Sequence, residues 1–394
     1  MKKRVFISLL SCSLVSAATA APATPKFRHV DVDTKVEIGY GVAVADVNGD
    51  KKPDILLADK NLYVWYENPS WEKHILAERV TKLDHVCLAA QDIDQDGKCE
   101  VAVGAGWNPS DTVNSGAVFF LKPPTDRSQR WEPVTLPHEP TVHRMRWVKN
   151  AGGSHDLIMV PLHGRGNKAA TGEGAGVRII AYHPPAQPGG NWTTDVLDDT
   201  LHKTHNFDPV QWDDDPEQEL LIAGMEGVYV MDRQGKKSGR LTQLSGNESG
   251  GAGEVRLGRL DKGRFFATVE PMHGTNLVVY TEPTKSTEKG LWSRKVLDSS
   301  LADGHALACG DISGSGRDQI VVGWRAMGKP GARVGIKLFT AGDAEGKEWN
   351  PVLVDDNTMA CEDLCLADLN GDGRLDIVAA GRATKNLKVY FNER

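Results

Sequence analysis

Imidazole, carboxylate and guanidinium side chains recur at two fixed places in this sequence. A short step before each of seven turn segments stand Tyr40, His85, His143, His205, Glu254, His305 and Glu362. At the far end of the apolar run that follows the second to seventh turns stand Trp107, His163 with Arg165, Glu226, His273, Trp324 with Arg325, and Arg382. Imidazole with carboxylate suits Zn²⁺ or a similar transition metal, and the expected ligands are a subset of His205, Glu254, His273 and His305. A neutral histidine is a good base near pH 7, which gives that role to His143 or His163, with Arg144, Arg165 or Tyr40 assisting at a substrate oxygen. His85, Trp107, Trp324, Arg325, Glu362 and Arg382 are expected to complete the wall and bind substrate. A lone histidine in a β protein is usually a hydrogen-bonded structural group, and Arg144 and Arg146 would serve equally as ion-pair partners. The inference therefore rests on the convergence of the set. No His-Glu-x-x-His or Cys-x-x-Cys pattern supports a metal. The glycine-rich stretch from Gly164 to Gly176 lacks the Lys-Ser/Thr ending of a phosphate loop and reads as a lip over the mouth.

The elements that must position these residues follow from a repeat. Asp46-Val47-Asn48-Gly49-Asp50-Lys51-Lys52-Pro53-Asp54 precedes the apolar run Ile55-Leu56-Leu57-Ala58, and the same design begins at Asp92, Asp311 and Asp368. Worn copies end at Asp156 and Glu219, and another spans Leu260 to Ala267. These resemble FG-GAP or VCBS-type repeats. An aromatic residue heading a β-rich run recurs out of phase, at Trp71, Trp131, Trp192, Trp292 and Trp349. Each unit then reads as four strands, and seven units predict an all-β, seven-bladed propeller over residues 21–394. The blades fall near 39–76, 84–136, 142–197, 205–244, 253–297, 304–354 and 361–392. The last unit lacks an outer strand, and Phe27-Arg28-His29-Val30-Asp31-Val32 supplies it, closing the ring and removing two open sheet edges.

The acidic turns offer oxygens at alternate positions, which could wrap a structural Ca²⁺ or merely brace a tight hairpin. Both readings stand for Asp46, Asn48, Asp50 and Asp54, for Asp92, Asp94, Asp96 and Glu100, and for Asp368, Asn370, Asp372 and Asp376. In the Asp311 turn, Ser313, Ser315 and Gln319 carry too little charge, so bracing is expected there.

Composition is ordinary for a globular protein, with 40% hydrophobic and 25% charged residues, while 41 glycines suit many tight turns. The net charge of −7 argues against a nucleic-acid scaffold. Lys2, Lys3 and Arg4, an apolar stretch and Ala18-Thr19-Ala20 read as a signal peptide over residues 1–20. Its removal takes three cations and moves the net charge from −7 to −10. A lipoprotein signal at Leu9-Leu10-Ser11-Cys12 is the competing reading. The expected location is exported, periplasmic or secreted, with no later membrane span. Five cysteines then remain, an odd number, and Cys87, Cys309 and Cys365 fall at inner-strand positions as small core hydrophobes.

Beyond the repeat, Thr141-Val142-His143-Arg144-Met145-Arg146-Trp147, Pro161-Leu162-His163-Gly164-Arg165-Gly166-Asn167, His202-Lys203-Thr204-His205-Asn206-Phe207-Asp208, Glu270-Pro271-Met272-His273-Gly274 and Asp303-Gly304-His305-Ala306-Leu307 resemble the propeller part of the aldos-2-ulose dehydratases. The resemblance implies metal-assisted dehydration of a ketosugar such as 1,5-anhydrofructose. Fungal members add cupin domains tied to a later isomerisation, and with no such segment after blade seven, elimination alone is expected here. The expected partner is a small sugar or oligosaccharide. Two other readings remain open: a polysaccharide lyase acting on uronates, in which Arg neutralises the carboxylate, and a non-catalytic sugar- or protein-binding propeller.

Overall fold

The computed structural model describes residues 25–185, 190–233, 240–246, 250–283, 290–328 and 331–393; the signal peptide expected over residues 1–20 lies outside them. Twenty-eight strands form seven four-stranded antiparallel sheets. The inner strands are Gly41–Ala45, Asp84–Gln91, Val142–Lys149, Thr204–Val210, Glu254–Arg259, Gly304–Gly310 and Cys361–Ala367. Each is followed by its turn and by a second strand, such as Asp54–Ala58 or Gln319–Trp324, that is buried throughout. Runs of Val, Ile, Leu and Ala suit such strands because both faces pack against neighbouring blades. The core accordingly lies between blades. Val86, Ala102 and Val118 of blade two meet Val142, Met145 and Leu157 of blade three in one cluster.

Phe27–Asp33 pairs antiparallel with Asn386–Asn392, from Phe27 opposite Asn392 to Asp33 opposite Leu387. The N-terminal strand thus completes the sheet of blade seven, and its Val30 and Val32 pack with blade-seven and blade-one residues such as Val389 and Ile55. Among the described residues all five cysteines are free thiols. No helix among them is long and apolar enough to cross a membrane.

The turn carboxylates cap main-chain amides. Asp46 accepts from Gly49 and Lys51, both at 2.7 Å, and Asp92 and Asp368 repeat this with Gln95 and Gly97 and with Gly371 and Gly373. Asn48, Asp50, Asp94, Asp96, Asn370 and Asp372 each accept from the amide two residues on. Asp54, Glu100 and Asp376 turn inward to the amides of Val47, Ile93 and Leu369. These hydrogen bonds brace each hairpin, and carboxylate oxygens of Asp92, Asp94 and Asp96 also lie within 4.8 Å of one another. The Asp311 turn does the same through the amides of Ser315 and Gly316.

Candidate metal and substrate site

The heads of the inner strands lie at the end of the blades opposite the acidic turns. At five of them the ladder with the second strand skips a residue, an apolar one, Val86, in blade two and an imidazole or carboxylate in the other four. Those four breaks fall between Val142 and Arg144, Thr204 and Asn206, Gly304 and Ala306, and Cys361 and Asp363. The skipped residues are His143, His205, His305 and Glu362. A β-bulge re-aims the side chain it carries and bends the strand, so a repeated backbone irregularity presents these four groups. The ladder of blade five is regular at Glu254. Its contribution comes instead from the loop after Arg264–Glu270, where His273 holds a left-handed φ of 54° that histidine tolerates better than most residues.

Three of the four expected metal ligands come together. Ligand nitrogens of His205, His273 and His305 all lie within 4.8 Å of one another. The Nε2 atoms of His205 and His273 are 2.7 Å apart, a contact in which two ring nitrogens share either a proton or an ion. Main-chain carbonyls fix the inner-strand rings. Nδ1 of His143 donates to the His205 carbonyl at 2.6 Å, Nδ1 of His205 to the Gly253 carbonyl at 2.7 Å, and Nδ1 of His305 to the Glu362 carbonyl at 2.5 Å. A carbonyl only accepts, so Nδ1 of each ring carries a proton, and in the neutral tautomer that this selects, Nε2 keeps its lone pair. That is the tautomer a metal ligand needs, held as ligating histidines usually are. Burial, reinforced by His205 and Arg325, pushes the pKa of His273 down to about 2. Burial also holds those of His143 and His305 well below the usual histidine value. The donor set therefore fits a divalent transition metal.

Glu254, the fourth expected ligand, stands behind His205. Its Oε1 is 3.4 Å from Nδ1 of His205, the nitrogen facing away from the trio, and its Oε2 accepts from Asn206 at 2.6 Å. Burial alone would raise its pKa, but His205, Arg256 and Arg144 outweigh that and keep it ionised. It stands against His205 from behind rather than joining the trio.

The other expected residues divide. His143 joins the site: its ring centroid is 4.6 Å from that of His205, and Trp107 stacks on its other side at 4.9 Å. Glu362 organises one wall, taking Arg325 at 2.6 Å and Arg382 at 2.9 Å, while Arg325 also reaches Asp303 at 3.0 Å. Tyr40 donates to Asp84 at 2.9 Å beneath Arg382. Burial and Asp84 raise its pKa, so the hydroxyl stays protonated. His163 is buried with Nδ1 unpartnered and has no described contact with the trio; its backbone bridges to Lys203. Arg165 is half exposed and tied to Glu139 and the Val113 carbonyl.

Two expectations need correction. His85 is fully buried and stacked on Tyr63 at 4.2 Å, out of reach of any ligand. Trp324, the last residue of its strand, belongs to the blade-five and blade-six core. The next residue, Arg325, is the one that faces the mouth, as the alternation of side chains along a strand requires. Sequence reasoning passed over Asp303, Asn206 and Lys203. Asn206 follows His205 directly, and Lys203 and Asp303 stand two residues before His205 and His305, so nearness in sequence was the available signal.

Residues 115–286 match a family model described as the β-propeller domain of aldos-2-ulose dehydratase. Aldos-2-ulose dehydratase of Phanerodontia chrysosporium is 25% identical over 347 residues, covering 80% of this chain but only 37% of that protein. The resemblance read from the mouth motifs thus holds along most of the chain. Among solved structures, a chain in a crystal structure of the mitotic checkpoint complex aligns over 99% of this chain and 98% of its own, with TM-score 0.58 and 12% identity. The Cps50 (Swd1) β-propeller domain of Myceliophteria thermophila aligns over 90% and 98%, with TM-score 0.52 and 10% identity. These two likenesses concern the fold alone.

Proposed function

We propose that this propeller is an exported carbon–oxygen lyase that holds one divalent transition metal, zinc in the first instance, on His205, His273 and His305, and performs β-elimination on an oxidised sugar. The observation that carries this reading is the trio itself: three imidazoles with ligand nitrogens within 4.8 Å, two of them with Nδ1 anchored to a carbonyl. The similarity to a dehydratase propeller supplies the reaction class. A bound divalent ion would supply Lewis acidity at a ketone oxygen, making the adjacent C–H acidic.

The chain's own groups account for the rest. His143 is neutral, wedged between Trp107 and His205, with Nε2 free of its carbonyl anchor. It takes the proton α to the ketone. The freed electron pair forms the C=C bond, the β C–O bond breaks, and the departing hydroxide takes the proton that His143 has just received and leaves as water, which returns His143 to its neutral form. Its place beside the trio supports His143 over His163 as base. Arg144, adjacent on the same bulge, steadies negative charge developing on oxygen. Arg325 and Arg382 are committed to Glu362 and shape the wall.

Elemental analysis of the purified protein, followed by ultraviolet detection of enone from a panel of ketosugars and uronates, tests the proposal. One equivalent of metal and a rising enone band are expected. A metal-free protein that gains no metal on dialysis, or a loaded protein that converts nothing on the panel, overturns it and favours a binding propeller.

A further inference from the structure

Every mouth carboxylate described above has a partner of its own. Glu362 takes Arg325 and Arg382, Asp303 takes Arg325, Asp84 takes the Tyr40 hydroxyl, and Glu226 takes His202. Two cations have no such partner. Arg144 is 3% exposed, yet its Nε and Nη2 have no hydrogen-bond partner, and Nη1 reaches only the His143 carbonyl at 3.5 Å. Among the described residues no carboxylate comes within ion-pair distance of it. Its charge acts on Glu254, which is held by Asn206 and His205, and on Asp363, which accepts from the Val42 amide. The bulge at His143 places Arg144 on the same side of the strand, where its charge reaches His273 and His305. Lys203 is the second. Its ammonium reaches only the Ala169 carbonyl at 3.4 Å, and its charge is felt at both His163 and His273.

A buried guanidinium is stable only when a counter-charge or full hydrogen bonding meets it. A neutral sugar brings hydroxyls but no charge, whereas a carboxylate offers two oxygens at the spacing of the guanidinium fork. We propose that the sugar this site takes is anionic, an aldonate or uronate, whose carboxylate is received by Arg144 with Lys203 at the entrance. The inference rests on the proposed elimination chemistry and names its substrate class.

Calorimetric titration of the zinc-loaded protein with D-gluconate and with D-glucitol, the same carbon chain without charge, tests it. Gluconate is expected to bind at least about tenfold more tightly, the loss from one removed charge-assisted contact. Arg144→Gln should abolish the preference with zinc content unchanged, and Lys203→Met should weaken it. Should Arg144→Gln fail to fold, Lys203→Met and the salt dependence of gluconate binding decide in its place. Equal binding of the two compounds, or a preference unchanged in Arg144→Gln or, in its place, in Lys203→Met, overturns the proposal. The zinc-loaded enzyme is also offered 5-keto-D-gluconate and neutral 1,5-anhydrofructose, with a higher kcat/KM expected on the keto acid. Higher kcat/KM on the neutral sugar overturns the anionic assignment. No turnover of either, alongside a gluconate preference that Arg144→Gln removes, overturns the elimination reading and sustains the anion site.

Discussion

Acid should unfold this protein partly through His85, and one substitution isolates that share. His85 is fully buried and stacked on Tyr63. Burial lowers its pKa from 6.5 to about 4. The unfolded chain therefore binds the proton first as pH falls, and stability drops below pH 6.5 until the folded form also protonates near pH 4. The difference between those two values amounts to about 3 kcal/mol lost between pH 7 and pH 4. His85→Phe keeps a flat ring against Tyr63 and removes the titration. Denaturant unfolding followed by tryptophan fluorescence, at half-unit steps over that range, should show the parent losing about 3 kcal/mol more than the variant. Carboxylates common to both chains cancel in the comparison. Parallel stability curves for parent and variant would refute a neutral, buried His85.

Further expected outcomes concern the site and the closure. His273→Ala should lower the bound metal from one equivalent toward none, whereas His163→Ala should leave it intact; elemental analysis after dialysis reads both. Glu254→Gln should weaken zinc affinity about 10–100-fold without unfolding the protein, the usual effect of losing a group that orients a ligand, as measured by competition with a chelator. His143→Ala should cost about 10²–10⁴-fold in turnover on any sugar the parent converts while leaving metal content unchanged. A chain beginning at Asp33 loses the partly buried Phe27, Val30 and Val32 and exposes the edge of Asn386–Asn392; its melting temperature should fall, with a stability loss on the order of 3–5 kcal/mol.

The repeat made the fold legible because two signals with different physical causes agree. Asp and Gly at set spacings encode the turn, and an aromatic heading a β-rich run encodes the outer strand. The unpaired last blade and the strand-like Phe27–Val32 then had one economical resolution, and the register of Phe27 opposite Asn392 matches it. Side-chain direction was less legible. Counting back from the turns assumes an unbroken period of two, and a bulge changes that period by one residue without any composition mark. His205, His273 and His305 were found because imidazoles are conspicuous. His85 and Trp324 were misplaced because a strand-end residue belongs to the core or the mouth according to a parity that counting alone does not fix. In blade two both strands break register near His85, around Val86 and Gly106, and the ring turns onto Tyr63.

The bulges also explain how one blade supplies two chemically different groups. On a regular strand, neighbours point to opposite faces, so a histidine facing the channel would send the next residue into the space between blades. In blade three, the skipped pairing at His143 lets an imidazole and a guanidinium share the channel side. In blade four the same device sets His205 beside Asn206, whose amide holds Glu254 behind the ring. In blade seven it frees Glu362 to grip Arg325 and Arg382 from two directions, while its carbonyl anchors His305. The ring of carbonyl anchors runs from each bulged histidine to the head of the next blade: His143 to His205, His205 to Gly253, and His305 to Glu362. Each imidazole is thus oriented by its neighbour's backbone, so the geometry of the trio depends on how tightly the blades close. The N-terminal strand that completes blade seven, far from any chemistry, is for that reason part of what holds the site in shape.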